Sequence, residues 1–267
     1  MDFCIKNYLK LFLLFIKVGL MRQMAYRSHF LLMVVGKIIR LILLFFFFQA
    51  IFLKIDRLGQ WTFTQVLFLF ATFHLVDFLM SITFQRNLIQ FLPRWVQSGE
   101  LDSRLLLPIN HLFLVSFENV DLMDLFSFLP SLLFLGGLLY YLNFSLGWPQ
   151  ILIYIILIIN ALIFLYAIHL MVATMSFWTT QSYGVGRILD NIFKISRYPL
   201  DIFEGWGRFF FIYIFPLIVI AQLPTQALLG KSSWDYILWG LIVSLSFLVV
   251  ALKFWKKGLR NYLSASS

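Results

Sequence analysis

The chain has 267 residues, of which 61% are hydrophobic and only 12% are charged. Soluble domains carry about 25% charged residues, so the composition excludes an ordinary soluble protein and indicates a polytopic α-helical membrane protein. The net charge of +9 is better explained by Lys and Arg in cytoplasmic loops than by nucleic-acid binding, and a single cysteine, Cys4, excludes an intrachain disulfide.

The first predicted element, residues 1–27, is an amphipathic helix that lies in the membrane interface. At about 100° per residue, Asp2, Lys6, Lys10 and Lys17 fall on one narrow arc, and apolar residues fill the other sides. The alternative is an unusually charged first membrane span. Only six apolar residues separate Lys10 from Lys17, which favours the interfacial helix.

Six membrane spans follow, because a helix needs about 20 apolar residues to cross a bilayer. The predicted spans are approximately 30–53, 61–84, 112–142, 148–178, 208–223 and 234–252. The clearest stretch is 125–186, which contains no Asp, Glu, Lys or Arg over 62 residues. Pro216 lies inside the fifth span, and Pro224 and Gly230 then interrupt an apolar run. This pattern predicts a re-entrant piece at the outer face.

Ionisable residues inside a span are functional candidates, because burying a charge in lipid is costly. His74 and Asp77 lie three residues apart on one face of span two. The alternative for them is a local hydrogen-bonded pair inside the bundle. His169 stands alone on the apolar fourth span, which is more typical of a packing residue with satisfied hydrogen bonds than of a ligand.

Three acids, Glu118, Asp121 and Asp124, cover one side of span three near its predicted cytoplasmic end. One interpretation pairs them with Lys37 and Arg40 of span one, which lie at similar depth. The other makes them the lining of a cation-attracting vestibule. Together with the histidine–aspartate pair of span two, they are the candidates for a substrate path. We expect a hydrophobic, lipid-like or cationic drug-like substrate.

A polar segment, 86–111, separates spans two and three. Within it, Gly99 and Pro108 bracket a run, 100–107, that can form about two helical turns. Its charges would each cost roughly 2.5–3.5 kcal/mol at mid-membrane, so the segment cannot lie in lipid. We expect a short cytoplasmic helix on which another protein pushes.

A second polar segment, 183–199, is predicted to be an amphipathic helix at the cytoplasmic surface that ends at Pro199. Its polar face consists of Arg187, Asp190, Asn191, Lys194 and Arg197. Apolar residues cover the opposite face.

Orientation follows from the distribution of Lys and Arg. Six spans place both termini on one side, and that side holds 18 of the 21 basic residues if those of span one are included. The other side holds only Lys54, Arg57 and Lys231. The bias predicts that both termini and both polar segments are cytoplasmic.

No catalytic constellation is present in the sequence. There is no HExxH, no CxxC and no paired-aspartate motif. Gly230-Lys231-Ser232 is similar to the end of a phosphate-binding P-loop, but Thr225 stands where the first glycine is required. We therefore expect this chain not to be an enzyme, and its energy to come from elsewhere.

Two motifs, together with the topology, carry a resemblance to a known family. The run Gly99 to Pro108 matches the pattern G-x-L-D-x-x-L-L-x-P after span two, and Arg197-Tyr198-Pro199 precedes the proline-broken fifth span. The chain resembles the permease subunit of an ABC-2 type ABC exporter. More specifically, it is similar to six-helix permeases of about 260 residues that work with a separate ATPase.

The resemblance implies that residues 99–108 form a coupling helix that fits a groove in the ATPase. The residues it assigns to this contact are Gly99, Glu100, Leu101, Asp102, Arg104, Leu105 and Pro108. A second contact or lever would comprise Arg187, Lys194, Arg197, Tyr198 and Pro199. Charges would form a polar docking rim, and leucines the buried contact.

The resemblance also implies the partners and the location. Two permease subunits, identical or related, would form a dimer in a bacterial cytoplasmic membrane, with substrate passing between them. ATP and Mg²⁺ would be bound by the ATPase and no cofactor by this chain. No nucleic-acid partner is expected.

The main rival interpretation is an ion-driven secondary transporter or channel that needs no ATPase. Such proteins usually show two related halves, and no clear internal repeat is visible here. A membrane-embedded enzyme acting on lipids and an assembly factor for a larger complex are further alternatives.

Overall fold

The computed structural model describes residues 5–24, 27–120, 125–141, 147–179 and 182–265. Its first six α-helices are α1 (Ile5–Met24), α2 (Arg27–Phe52), α3 (Phe63–Met80), α4 (Leu92–Ser98), α5 (Glu100–Leu105) and α6 (His111–Phe117). The others are α7 (Leu125–Tyr141), α8 (Trp148–Thr174), α9 (Ser182–Phe193), α10 (Gly205–Phe209), α11 (Gln222–Leu228) and α12 (Trp234–Ala265).

In the described ranges, three helical segments are long and apolar enough to cross a membrane. They are Phe63–Gln85, Trp148–Phe177 and Trp234–Tyr262. Helix α8 lies at the centre of the core, where the side chains of Phe164 and Leu165 are fully buried. The chain is thus an all-α membrane protein, as its composition predicted.

Helices α8 and α12 pack closely and run in the same direction. Asn160 Nδ2 donates a hydrogen bond to the carbonyl of Gly240 at 3.2 Å. Further along, a Cβ added at Gly258 would lie 2.6 Å from Thr174 Cγ2, so the helices can approach this closely only because residue 258 has no side chain.

The bundle has two ends, which we name the Trp61 end and the Arg104 end. Helix α3 begins beside Trp61, and the helical chain that continues from it stops just before α5, which contains Arg104. Gln150 Nε2, near the start of α8, lies 3.1 Å from the position of a Cβ on Gly230. Lys231, just before α12, lines the same cavity as Trp61, so α8 and α12 also begin at the Trp61 end.

Helix α3 extends much further than the predicted second span, 61–84. Two π-helical segments, Ser81–Gln85 and Asn87–Phe91, carry it without interruption into α4, which ends at Ser98. At 1.5 Å per residue the whole helix is roughly 54 Å long, more than a bilayer core requires. Arg86 and Arg94, assigned from the sequence to a loop, therefore lie on a helix.

The stretch predicted as one third span, 112–142, contains two helices. Helix α6 ends at Phe117 and α7 begins at Leu125, while residues 121–124 lie outside the described ranges. At the end of α6, the side-chain amide of Asn87 accepts a hydrogen bond from the Asn119 N–H at 3.1 Å and donates one to the Asn119 carbonyl at 2.8 Å. A side chain from another helix thus replaces the backbone partners that a continuous helix would supply.

The segment predicted as a surface helix, 183–199, instead runs along the bundle. Near the start of α9, Gly186 packs on Ile89 of the long helix, with 2.6 Å between an ideal Cβ position and Ile89 Cγ2. Beyond α9, Trp61 Nε1 donates a hydrogen bond to Asp201 Oδ2 at 2.9 Å. Residues 182–202 therefore pass from beside Ile89 to the Trp61 end, a route that differs from the predicted position at one surface.

The predicted fifth span, 208–223, is not one helix. Helix α10 continues as a π-helical segment to Ile214, and the helix stops there because Pro216 has no N–H to donate and restricts Phe215 to non-helical angles. The chain then turns through Leu217–Val219 into α11. The predicted interruption of this apolar stretch is present, and its position explains why no continuous span forms.

Candidate functional site

The predicted short helix between spans two and three is present as α5. Gly99 separates it from α4 with φ = +75°, a left-handed conformation that glycine adopts without a steric penalty. A Cβ there would have nothing within 4 Å, so the requirement for glycine comes from the backbone angle and not from lack of space. Leu101 on the inner face of α5 is fully buried.

Arg104 fastens α5 to its neighbours. Its guanidinium donates hydrogen bonds to Glu118, at 2.9 Å from Nε to Oε2 and 3.3 Å from Nη2 to Oε1. Nη1 donates to the carbonyl of Glu100 at 3.0 Å. The guanidinium carbon also lies 3.9 Å from the centre of the Trp95 ring, a cation–π contact. Because its side chain is only 18% exposed, Arg104 anchors α4, α5 and α6 to one another.

The pairing of Glu118 differs from both sequence-based interpretations. We had expected it to bind Lys37 or Arg40, or to line a vestibule, but its carboxylate binds Arg104. The planar guanidinium can satisfy both carboxylate oxygens at once, which a lysine cannot do. Arg104 therefore belongs to an internal ion pair rather than to a docking rim.

A second long-range contact joins α5 to the last helix. The Tyr262 hydroxyl of α12 donates a hydrogen bond to Asp102 Oδ1 at 2.7 Å, although the two residues are 160 positions apart. Tyr262 was not a candidate from the sequence, because nothing in its local pattern distinguishes it from other tyrosines. The Arg104 end thus gathers α5, α6 and the end of α12 around one short helix.

Helix α1 packs beside this assembly. The Asn110 N–H donates a hydrogen bond to the Tyr8 hydroxyl at 3.2 Å. The rings of Tyr8 and Phe113 lie 4.9 Å apart, and those of Phe12 and Phe117 lie 6.0 Å apart. The apolar side of the predicted interfacial helix therefore contacts α6, directly after the α5 segment.

The rest of α5 and the turn after it form an exposed surface. Leu106 is 85% exposed and Leu107 is 43% exposed, whereas Leu105 is half-buried. We call this the α5 surface, and its members are Glu100, Asp102, Ser103, Leu106, Leu107 and Pro108. It combines an apolar tip with two acidic residues, a composition suited to contact with another protein.

The second predicted contact set does not join the α5 surface. Arg197 lies over the ring of Tyr198 at 5.0 Å, and that ring lies 5.8 Å from the ring of Phe48 on α2. Pro199 is buried. Arg187, at the other end of the segment, is exposed, and Lys194 donates a hydrogen bond to Asn191 at 2.8 Å. These residues are thus distributed along the bundle.

The predicted substrate-path residues are only partly described. His74 is 9% exposed and lies between the rings of Phe70 and Phe73, at 4.4 and 5.5 Å. Its Nε2 has no hydrogen-bond partner in the described ranges. Asp77 is half-buried, whereas Asp121 and Asp124 lie outside the described residues.

His169, predicted to be a satisfied packing residue, has a partner on each ring nitrogen. It is fully buried, and its Nδ1 donates to the carbonyl of Leu165 at 2.7 Å. Its Nε2 lies 3.2 Å from Asp190 Oδ1 on α9. Both ring nitrogens therefore have a polar partner inside the bundle. The position of α9 makes this pair, which the sequence did not predict.

A comparison with protein-family models found a match. The model described as an ABC-2 family transporter protein matches residues 38–266, which is most of the chain. Searches of curated proteins and of solved structures found no match.

Proposed function

Since the chain belongs to the ABC-2 family of transporter proteins, we propose that it couples to a separate ATPase through α5 and serves export. Membership of the family makes the chain a permease subunit, the membrane component of an ABC transporter that works with an ABC ATPase. The finer assignments, namely the coupling surface, the direction of transport and the second subunit, are our proposal.

The observation that carries the proposal is the contrast between the two sides of α5. Leu101 and Arg104 hold the helix to the bundle, while Leu106 projects from it with 85% of its surface exposed. A leucine at the tip of a short helix, beside the acidic Glu100 and Asp102, can enter a groove of a partner while the acids contact its rim. A helix fixed from behind and open in front suits the transmission of a push.

Two contacts would pass that push into the membrane helices. The Arg104–Glu118 ion pair connects α5 to α6, and the Tyr262–Asp102 hydrogen bond connects it to α12. Closure of the ATPase around ATP and Mg²⁺ would displace α5 and carry α6 and α12 with it, a rigid-body switch. ATP hydrolysis then belongs to the partner, and this chain contributes the pathway.

A second permease subunit, identical or related, would complete the pathway. One face of α2 exposes a row of apolar side chains, Leu32, Val35, Ile39, Leu43 and Phe46. This face suits lipid chains or another permease subunit. We place the complex in a bacterial cytoplasmic membrane, with the α5 surface on the cytoplasmic side, where ATP is available.

The test replaces Leu106 with aspartate in the tagged, full-length chain. We expect Leu106→Asp to reduce recovery of the ATPase subunit by at least about tenfold, because a charge cannot enter an apolar groove. The measurement is mass spectrometry of the proteins that co-purify from the native host in mild detergent. Leu53→Asp is the matched control, since Leu53 is 78% exposed but lies at the opposite end of the bundle.

Equal recovery of an ATPase with both variants would reject the α5 surface as the contact. Recovery of this chain without any ATPase, together with transport that continues after ATP depletion, would support the ion-driven alternative instead.

A further inference from the structure

A polar cavity at the Trp61 end has no role in the function proposed above. Its volume is about 220 Å³, and it lies between the start of α3, the chain after α9 and the end of α11. The polar residues that line it are Gln60, Trp61, Gln65, Asp201, Gln226 and Lys231. At about 30 Å³ per water, the space equals about seven water molecules.

Local backbone features build the cavity from distant segments. Gly59 has φ = +63°, and a Cβ there would lie 3.1 Å from Asp201 Cβ, so the loop before α3 can approach the chain after α9 this closely. On the other wall, the Lys231 N–H donates a hydrogen bond to the Gln226 carbonyl at 2.8 Å. Gly230 makes this turn with φ = +67°.

The only carboxylate of the cavity is already bound on both oxygens. Asp201 Oδ2 accepts a hydrogen bond from Trp61 Nε1 at 2.9 Å, and Oδ1 accepts one from Arg208 Nη2 at 2.8 Å. The positive charge of Arg208 offsets the negative charge of the Asp201 carboxylate. Asp201 therefore serves to hold the wall of the cavity and has little capacity left to attract a cation.

The N–H donors of the other lining residues, unlike Trp61 Nε1, are not used within the protein. Gln65 Oε1 accepts the Thr62 N–H at 3.2 Å, which leaves its side-chain NH₂ available. In the part of the chain that the structure describes, no salt bridge involves the Lys231 ammonium, and the side chains of Gln60 and Gln226 form no hydrogen bond. The Lys231 ammonium and the side-chain amides of Gln60, Gln65 and Gln226 thus line one cavity with N–H groups that have no acceptor in the described part of the chain.

We propose that this cavity binds a small anionic oxygen group of the phosphate type. Ammonium and amide N–H groups are the donors that such oxygens accept, and the volume accommodates one such group with a few waters. The group can come from inorganic phosphate or from the headgroup of an anionic lipid. Because its walls belong to α3 and α11, a bound anion would join the interrupted segment 205–230 to the start of the long helix.

The first experiment uses inorganic phosphate as the probe. The full-length chain, with any subunit that co-purifies, is titrated in a phosphorus-free detergent and the ³¹P line width is recorded. We expect saturable broadening that Lys231→Gln weakens by about tenfold or more and Lys231→Arg largely retains, since a charge-assisted hydrogen bond is lost only in the former. Lys54→Gln is the control, because Lys54 is exposed in the same loop region but does not line the cavity.

The second experiment tests the lipid source. The same variants are reconstituted with phosphatidylglycerol or phosphatidylcholine, and native mass spectrometry counts the lipids that remain bound. Retention of phosphatidylglycerol that depends on Lys231 but not on Lys54 supports a headgroup site, and phosphate broadening alone supports a free-anion site. If neither probe distinguishes Lys231→Gln from Lys54→Gln, the proposal is overturned. Failure of the α5 contact would leave both readouts unaffected, since the cavity is at the opposite end.

Discussion

Arg104 shows how one side chain can hold a short helix in place. It combines a two-point ion pair with Glu118, a backbone hydrogen bond to Glu100 and a ring contact with Trp95. Because both charged groups are largely shielded from solvent, their attraction is screened less than that of a surface pair. Removing Arg104 leaves the Glu118 carboxylate half-buried and without this partner, whereas removing Glu118 leaves Arg104 with the longer ion pair to Glu100, at 3.5 Å from Nη1 to Oε2.

We expect a double-mutant cycle of Arg104→Ala and Glu118→Ala to give a coupling free energy of about 1.5–3 kcal/mol, the range for hydrogen bonds to charged groups. The measurement is the unfolding free energy of the single and double variants in detergent. Arg94→Ala is the control, because Arg94 is an exposed arginine of α4, and it should show no coupling to Glu118. Additivity of Arg104→Ala and Glu118→Ala would contradict the ion pair.

At the scale of elements, α5 depends on its surroundings. A helix of six residues is too short to be stable alone, so its position is set by α4, α6 and α12 rather than by its own hydrogen bonds. A hydrogen bond between the side chains of Tyr262 and Asp102 joins α5 to α12. It connects the proposed coupling helix to α12, a helix of 32 residues.

Tyr262→Phe removes only the hydroxyl, and it should lower the local stability of α5 without unfolding the helix. We expect hydrogen exchange of the α5 amides to accelerate about fivefold, which corresponds to the loss of one ordinary hydrogen bond. Tyr236→Phe is the control, because Tyr236 lies on the same helix at the Trp61 end. Unchanged exchange in Tyr262→Phe would mean that α12 does not hold α5.

At the scale of the whole molecule, the route of residues 182–202 changes the topology. The segment begins beside Ile89 and ends with Asp201 bound to Trp61, so it connects the two ends of the bundle. Arg208, which binds Asp201, consequently belongs to the Trp61 end together with Lys231. In the sequence-based count it had been assigned to the opposite side.

This route can be tested by labelling with a membrane-impermeant thiol reagent in intact cells. In a Cys4→Ser background, we expect Glu204→Cys to react from the same side as Lys54→Cys and from the side opposite to Ser103→Cys. Lys54, Ser103 and Glu204 are all exposed polar residues, and of the three only Glu204 distinguishes the two topologies, because the sequence-based prediction placed it with Ser103. Reaction of Glu204→Cys from the Ser103 side would contradict the structure.

The parts of the fold that could be predicted depend on residues close in sequence. The apolar runs indicated an all-α membrane protein, Gly99 marked the start of a short helix, and Pro216 marked a break in the apolar stretch before α11. Each of these follows from neighbours within a few positions, through hydrophobic length, a left-handed backbone angle or a missing N–H. The family resemblance rested on the same local motifs.

The parts that could not be predicted depend on the choice of a partner far along the chain. Glu118 could pair with any of several cations, and only the packing of α5 on α6 selects Arg104; likewise, only the end of α12 brings Tyr262 to Asp102. The amphipathic pattern of 183–199 suits a membrane surface as well as a bundle interior, because its polar face needs either water or a partner. The sequence by itself therefore determined the class of protein and the position of its short helix, whereas the tertiary structure decided which charges meet and which segment joins the two ends.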